Sequence, residues 1–262
     1  MNYETWSPVY ERILADFGFD RESDERARDA LADLTEPFDL GPLDAAGETV
    51  AIAGAGPSLT DPDHPDRPAE LDRARAADAV FAASTAADHL RNAGVGVECM
   101  VTDLDKNPGT ARELTEEGTP VAAHAHGDNV PAVREWVPRF DAEWVLPTTQ
   151  ARPVAHVRNP GGFTDGDRAA FLADLLGAAE LVFVGWDFDD PDVNPTKAKK
   201  LAWAERLLYW LERRRDEEFA VLDGRRERIE SVAAEADSAV DADSAADTDP
   251  VADGTDLADE GL

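Results

Sequence analysis

From Glu48 onward the chain alternates short apolar runs with amphipathic stretches. The runs are TVAIAG (Thr49 to Gly54), AVFAAS (Ala79 to Ser84), VECMVTD (Val97 to Asp103), PVAAHAH (Pro120 to His126), AEWVLP (Ala142 to Pro147) and ELVFVGW (Glu180 to Trp186). Each has the length and boundaries of a strand. Helical periodicity falls between them, over Thr85 to Asn92, Pro131 to Phe140 and Asp167 to Leu176. A strand followed by a helical crossover, repeated, predicts an α/β protein with an open, mostly parallel, doubly wound sheet, in which ligands gather at the strand carboxyl ends.

The flanks read differently. Residues 1–45 form an N-terminal helical segment, a cap or lid: Ser7-Pro8 opens one helix with Trp6, Val9, Ile13, Leu14 and Phe17 on one face, and Ser23 caps a second that runs to about Leu34. A long helix from Thr196 to about Arg215, with Leu201, Leu208 and Leu211 on one stripe, closes an α/β core spanning 46–222. Residues 223–262 make an acidic tail. Beyond Glu230 this tail is an Ala/Asp tract with no base and no aromatic residue. Its apolar surface is too small to offset ordering entropy, so disorder is expected.

Composition changes the picture in two respects. The formal net charge is −31 and lysine occurs only at Lys106, Lys197, Lys199 and Lys200. Such an acid excess argues against bare nucleic acid or an anionic membrane as partner. It suits a protein working in multimolar salt, where self-repulsion is screened within a few ångströms. Cys99 is the only cysteine, so no intramolecular disulfide and no cysteine-cluster metal site can form. With no apolar signal region and no run of about 18 apolar residues, a cytoplasmic protein is expected. A homo-oligomer is left open.

Several polar clusters coincide with candidate strand ends. GAGPSL (Gly54 to Leu59) carries the first two glycines of a dinucleotide fingerprint but has Leu59 at the third position; Pro57-Ser58 suggests a helix start able to hold phosphate, or a tight turn without ligand. In TDLD (Thr102 to Asp105), Asp103 and Asp105 can face one hard cation if the chain stays extended, Mg²⁺ being the natural guest; an acidic loop is the plain reading. HAHGDN (His124 to Asn129) offers His126, a third carboxylate in Asp128 and a helix-capping Asn129, while His124 suits packing against a neighbouring strand. GGFTDGDRA (Gly161 to Ala169) places Asp165 or Asp167 at a helix start beside Arg168. In WDFDD (Trp186 to Asp190), Asp187 either orients a ligand or caps a helix. Lys197, Lys199 and Lys200 supply point charges for phosphate oxygens, or a solvated helix face. Carboxylates for Mg²⁺, a helix start for phosphate and lysines to neutralise charge are the parts phosphoryl transfer needs. Together they describe a Mg²⁺-dependent nucleotide or phosphate enzyme without naming its acceptor.

The ordered set WSPVY (Trp6 to Tyr10), DFGFD (Asp16 to Asp20), GAGPSL, VTDLD (Val101 to Asp105), HAHGDN, GFTDGDRA (Gly162 to Ala169) and VGWDF (Val184 to Phe188) resembles the archaeal 6-hydroxymethyl-7,8-dihydropterin pyrophosphokinase family, from about residue 2 to residue 215. That family is similar in catalytic fold to thiamine pyrophosphokinase, and a broader branch is linked to glycan transfer. The resemblance implies transfer of diphosphate from ATP to the hydroxymethyl group of a reduced pterin, with AMP leaving. The product would feed tetrahydromethanopterin or folate synthesis. Asp103, Asp105 and Asp128 would ligate Mg²⁺, and His126 would assist at the transferring group. With the residue reading above, nucleotide contacts fall to Gly54, Gly56, Ser58, Arg168, Lys197 and Lys200, and substrate contacts to Asn129, Thr164, Asp165 and Asp187. One departure stands out: where the family tends to an Asp-Gly-Ala turn, this chain has Ser84-Thr85-Ala86. The alternatives are a related transferase acting on thiamine or a nucleotide sugar, and a non-catalytic nucleotide- or pterin-binding module.

Overall fold

A computed structural model describes residues 1–230. Residues 1–223 form one compact unit, to which the following description refers. The expectation of a disordered Ala/Asp tract falls on residues 231–262, outside the described residues. In chain order the elements are α1 (Tyr3–Phe17), α2 (Arg21–Ala32), β1 (Thr49–Ala53), α3 (Pro57–Thr60), α4 (Arg67–Ala76), β2 (Ala79–Ala83), α5 (Ala86–Asn92), β3 (Cys99–Thr102), α6 (Pro108–Glu116), β4 (Val121–Ala125), α7 (Val130–Trp136), β5 (Val145–Thr149), α8 (Asp165–Leu175), β6 (Glu180–Val184) and α9 (Pro195–Arg215).

The six strands are all parallel, in the order β5-β4-β3-β2-β1-β6. The chain winds outward from β1 to β5 and then returns to lay β6 on the other side of β1. Ile52 therefore sits opposite Phe81 on one flank and Phe183 on the other. The winding direction reverses between β1 and β6, and in open α/β sheets a crevice forms at such a point. A parallel sheet must be covered on both faces. Ala51, Ala53, Val80, Ala82, Met100, Val121 and Ala123 join Leu71, Leu90, Leu114 and Val133 of the crossover helices, and Ala27 and Leu31 of α2, in one buried cluster. Val50, Ile52, Phe81 and Val101 alternate with these and are equally buried, so they point to the opposite face. There α8 crosses β1, β2 and β3, and α9 packs on α8. Trp6 of α1 sits edge-on to Phe171 and stacked with Trp210, each at 6.4 Å between centroids. No helix among the described residues is long and apolar enough to cross a membrane.

Some boundaries differ from those expected. Asn2, whose side chain accepts from Thr5 N, opens α1, and Pro8 lies inside the helix instead of beginning it. Asp20, accepting from the amides of Glu22 and Ser23, caps α2 in place of Ser23. Ala142–Trp144 is a 3-10 turn capped by Asp141, and β5 runs on to Thr149. In α8 a reciprocal pair starts the helix earlier: the Thr164 hydroxyl and amide both engage the Asp167 carboxylate.

Candidate active site

The carboxyl ends of the strands open into a cleft of about 440 Å³. Gly54 and Gly56 line it after β1, Asp103, Asp105 and Lys106 after β3, and His126 and Asp128 after β4. Thr164, Asp165 and Arg168 of the α8 start, Asp187 after β6, and Lys197 and Lys200 of α9 also line it, and of all these residues every one but Lys106 was foreseen from the sequence. Ser58 and Asn129 stand behind the wall instead.

At the end of β3 the chain does not stay extended. Leu104 takes a left-handed φ of +66°, a costly conformation for a non-glycine residue. Its amide donates to Thr102 Oγ1 at 3.0 Å, its side chain is buried, and the Asp105 amide donates to Asp103 Oδ1 at 3.2 Å. This turn, not strand alternation, brings the two acids together at the cleft. Burial works to raise the Asp103 carboxyl, but the neighbouring His126 and Asp105 side chains outweigh it and hold Asp103 well below the usual carboxylate range. Asp105 moves the other way, raised by burial and by the Asp103 side chain and its charge. The Asp103 charge thus makes ionisation of Asp105 costlier, a cost that a cation held by both would offset. His126 Nε2 lies 3.6 Å from Asp103 Oδ2.

His124 packs as expected, its Nδ1 paired with Thr148 Oγ1 on β5 at 3.1 Å. Asn129 begins α7 without a side-chain cap. Its carboxamide accepts from the His126 amide and donates to the carbonyls of Asp103 and His124 at 2.9, 2.8 and 2.7 Å. With these partners and its burial, Asn129 ties the ends of β3 and β4 together instead of contacting a ligand. Ser58 is likewise occupied: its amide and hydroxyl both donate to Asp187 Oδ2, at 2.9 and 2.7 Å, so Asp187 caps the start of α3.

Close approach of the two loops at the winding reversal accounts for the glycines. A Cβ on Gly54 would sit 2.7 Å from the Gly185 carbonyl, and one on Gly56 would sit 2.3 Å from Asp187 Oδ2. The Trp186 indole donates to the Ile52 carbonyl and lies against Gly166, where a Cβ would be 2.8 Å from the ring.

On the opposite wall, Arg168 is buried at 4 % exposure. Its Nη1 reaches Asp165 Oδ1 at 3.3 Å and its Nη2 reaches Gln150 Oε1 at 2.9 Å, while its Nε has no hydrogen-bond partner among the described residues. Burial, then the Asp103 charge, raises the Asp165 carboxyl. Five contributors escaped sequence reading. Lys106 follows the acid pair directly, and its position was the available signal. Asp24, on the same α2 stripe as buried Ala27 and Leu31, is an acid where the helical pattern asks for an apolar residue. Gln150 lay beyond the assumed end of β5. Phe19 and Phe163 line the cleft and form a ring cluster with Phe17, which stands 5.2 and 5.1 Å from them; only a contact between distant segments reveals it.

Among the described residues no three His, Cys, Asp or Glu side chains are grouped to hold a metal. Mg²⁺ asks for less, since one or two carboxylates plus substrate phosphates commonly suffice. The hard oxygens of Asp103 and Asp105 fit that demand, with exposed Asp128 at the rim.

A parallel sheet that reverses direction beside paired carboxylates, an arginine at a helix start and three lysines defines a nucleotide- or phosphate-handling α/β protein. The sequence model of the 6-hydroxymethylpterin diphosphokinase MptE-like family matches residues 26–193, and the chain belongs to that family. Three relatives are described as 6-hydroxymethyl-7,8-dihydropterin pyrophosphokinase. That of Methanothermobacter thermautotrophicus is 38% identical over 82% of this chain and 97% of its own. Those of Pyrococcus furiosus and Methanocaldococcus jannaschii are 36% and 29% identical, over 80% and 84% of this chain and 94% and 99% of theirs.

Proposed function

We propose that this protein is a 6-hydroxymethyl-7,8-dihydropterin pyrophosphokinase using ATP and Mg²⁺. The observation that carries the reading is the meeting of Asp103, Asp105, Lys106, Arg168, Lys197 and Lys200 at one cleft in a member of this family. The pterin hydroxymethyl oxygen attacks the β-phosphorus of ATP. A C–O–P bond forms, the bond from the bridging oxygen to the β-phosphorus breaks, and AMP departs with that oxygen. His126, beside Asp103, takes the hydroxyl proton, and Asp103 stabilises the resulting imidazolium. Asp103, Asp105 and the rim carboxylate Asp128 would hold Mg²⁺, which would offset the charge of the polyphosphate. Lys197, Lys200 and Arg168 bind the polyphosphate, which runs past the backbone of Gly54 and Gly56. The pterin ring lies against Phe19 and Phe163, with Thr164 and Asp165 at its polar edge. The product supplies tetrahydromethanopterin or folate synthesis.

The test is AMP formation from ATP and Mg²⁺ in concentrated KCl, with 6-hydroxymethyl-7,8-dihydropterin and thiamine as parallel acceptors. Pterin-dependent AMP, absent with thiamine, is expected. Folded protein that makes no AMP with the pterin overturns the proposal.

A further inference from the structure

Asp24 lies in the first turns of α2, outside every sequence motif discussed above, and is 3 % exposed. Its carboxylate is surrounded by donors. Oδ2 accepts from Tyr10 Oη and from Gln150 Nε2, each at 2.7 Å, and Oδ1 accepts from the Gly127 amide, also at 2.7 Å. Three hydrogen bonds compensate a buried charge that an apolar residue on this stripe would have avoided.

Each branch ends at a wall of the cleft. A carboxylate only accepts, so Asp24 dictates which way the Gln150 carboxamide faces: Nε2 toward Asp24, Oε1 toward Arg168. Oε1 then receives Arg168 Nη2 at 2.9 Å, while Asp165 receives Nη1. The other branch fastens the loop carrying His126 and Asp128. Gly127 is pressed so closely on α2 that a Cβ there would stand 2.2 Å from Ser23 Oγ.

We propose that Asp24 is a positioning residue for diphosphate transfer: one buried carboxylate in the N-terminal segment sets the Arg168 guanidinium through Gln150 and the His126–Asp128 loop through Gly127. The inference rests on the pyrophosphokinase reading for its kinetic meaning, and on the hydrogen bonds alone for its geometry. Asparagine at this position keeps one acceptor oxygen and places an NH₂ against either Gly127 N–H or the Tyr10 and Gln150 donors. At least one branch must open.

Three measurements test it: steady-state kinetics with ATP and the pterin, calorimetric titration with ATP and Mg²⁺, and amide hydrogen exchange at Gly127. Gln150→Leu cuts only the Arg168 branch. It should raise the KM and the Kd for ATP about tenfold, the scale of one lost charge-assisted contact, with kcat little changed and Gly127 exchange as slow as in the wild type. Asp24→Asn should raise KM, lower kcat by about tenfold or more, and accelerate Gly127 exchange. A general loss of stability would not divide KM from kcat between the two variants. Folded Asp24→Asn with wild-type kinetics and wild-type Gly127 exchange overturns the proposal. If Asp24→Asn does not fold, an unaltered ATP affinity in Gln150→Leu overturns it. Wild-type protein that makes no AMP would defeat the pyrophosphokinase reading alone, and the ATP titrations and Gly127 exchange would still decide the two branches.

Discussion

The Asp103 charge acts on Asp105 and also on Asp165. Acids gathered this way repel one another in the absence of a cation, a cost the rest of the fold carries. Asp105→Asn removes the carboxyl whose charge burial and Asp103 disfavour, while preserving shape. Without Mg²⁺ this variant should therefore unfold at a higher temperature than the wild type, by the equivalent of about 1 kcal/mol, while its rate of AMP formation falls about a hundredfold or more. Calorimetric melting beside the AMP assay reads both. A variant that loses stability along with activity would show Asp105 to be a structural acid. The pairing was legible because both residues end an apolar run. The manner of it was not, since the left-handed φ of Leu104 follows from burying its side chain and engaging Thr102, and neither shows in local spacing. Asp24 and Gln150, 126 positions apart, were beyond any reading of neighbours.

At the level of elements, β1, β2 and β4 were plain from their apolar runs, because central parallel strands are buried on both faces, and β6, at one edge of the sheet, was plain from the run Leu181 to Val184. The edge strand β5 was placed too early. Its last residues, Thr148 and Thr149, are polar yet buried, and Thr148 satisfies itself by pairing with His124 and the Ala123 carbonyl. Pro147 looked terminal but is tolerated in a strand at the edge of the sheet. Glycines were harder still to rank from sequence, and two of them make opposite predictions. Gly56→Ala drives a methyl group toward Asp187 Oδ2 and the Gly185 carbonyl, 2.3 and 2.7 Å away. It should cost about 2 kcal/mol of stability by overpacking, and it should impair turnover by prising β1 from β6. Gly109→Ala, in the first turn of α6 with nothing within 4 Å of the added methyl, should stabilise by about 0.5 kcal/mol through the unfolded chain. Denaturant titration of the two variants separates a glycine demanded by contact from one that is not; equal destabilisation by both would discredit the assignment.

The whole molecule carries a formal net charge of −31, of which ten negative charges lie beyond residue 230 with no base among them, leaving twenty-one in excess on residues 1–230. Self-repulsion on that scale opposes the compact state and is relieved by screening. The Debye length shortens from about 10 Å at 0.1 M to about 3 Å at 1 M salt. Thermal stability should therefore climb steeply with KCl up to about 1 M, where the screening length reaches the separation of neighbouring side chains, and rise little beyond it. Deleting residues 231–262 should leave most of that climb in place, because two thirds of the excess charge remains, and should leave AMP formation unchanged. Sucrose, which stabilises by exclusion without screening, distinguishes the causes: it should raise the melting temperature of wild-type and truncated protein by similar amounts and leave the KCl response intact. A melting temperature indifferent to KCl would mean that paired surface charges already cancel the repulsion. A climb lost on truncation would place the salt response in residues 231–262 instead of residues 1–230.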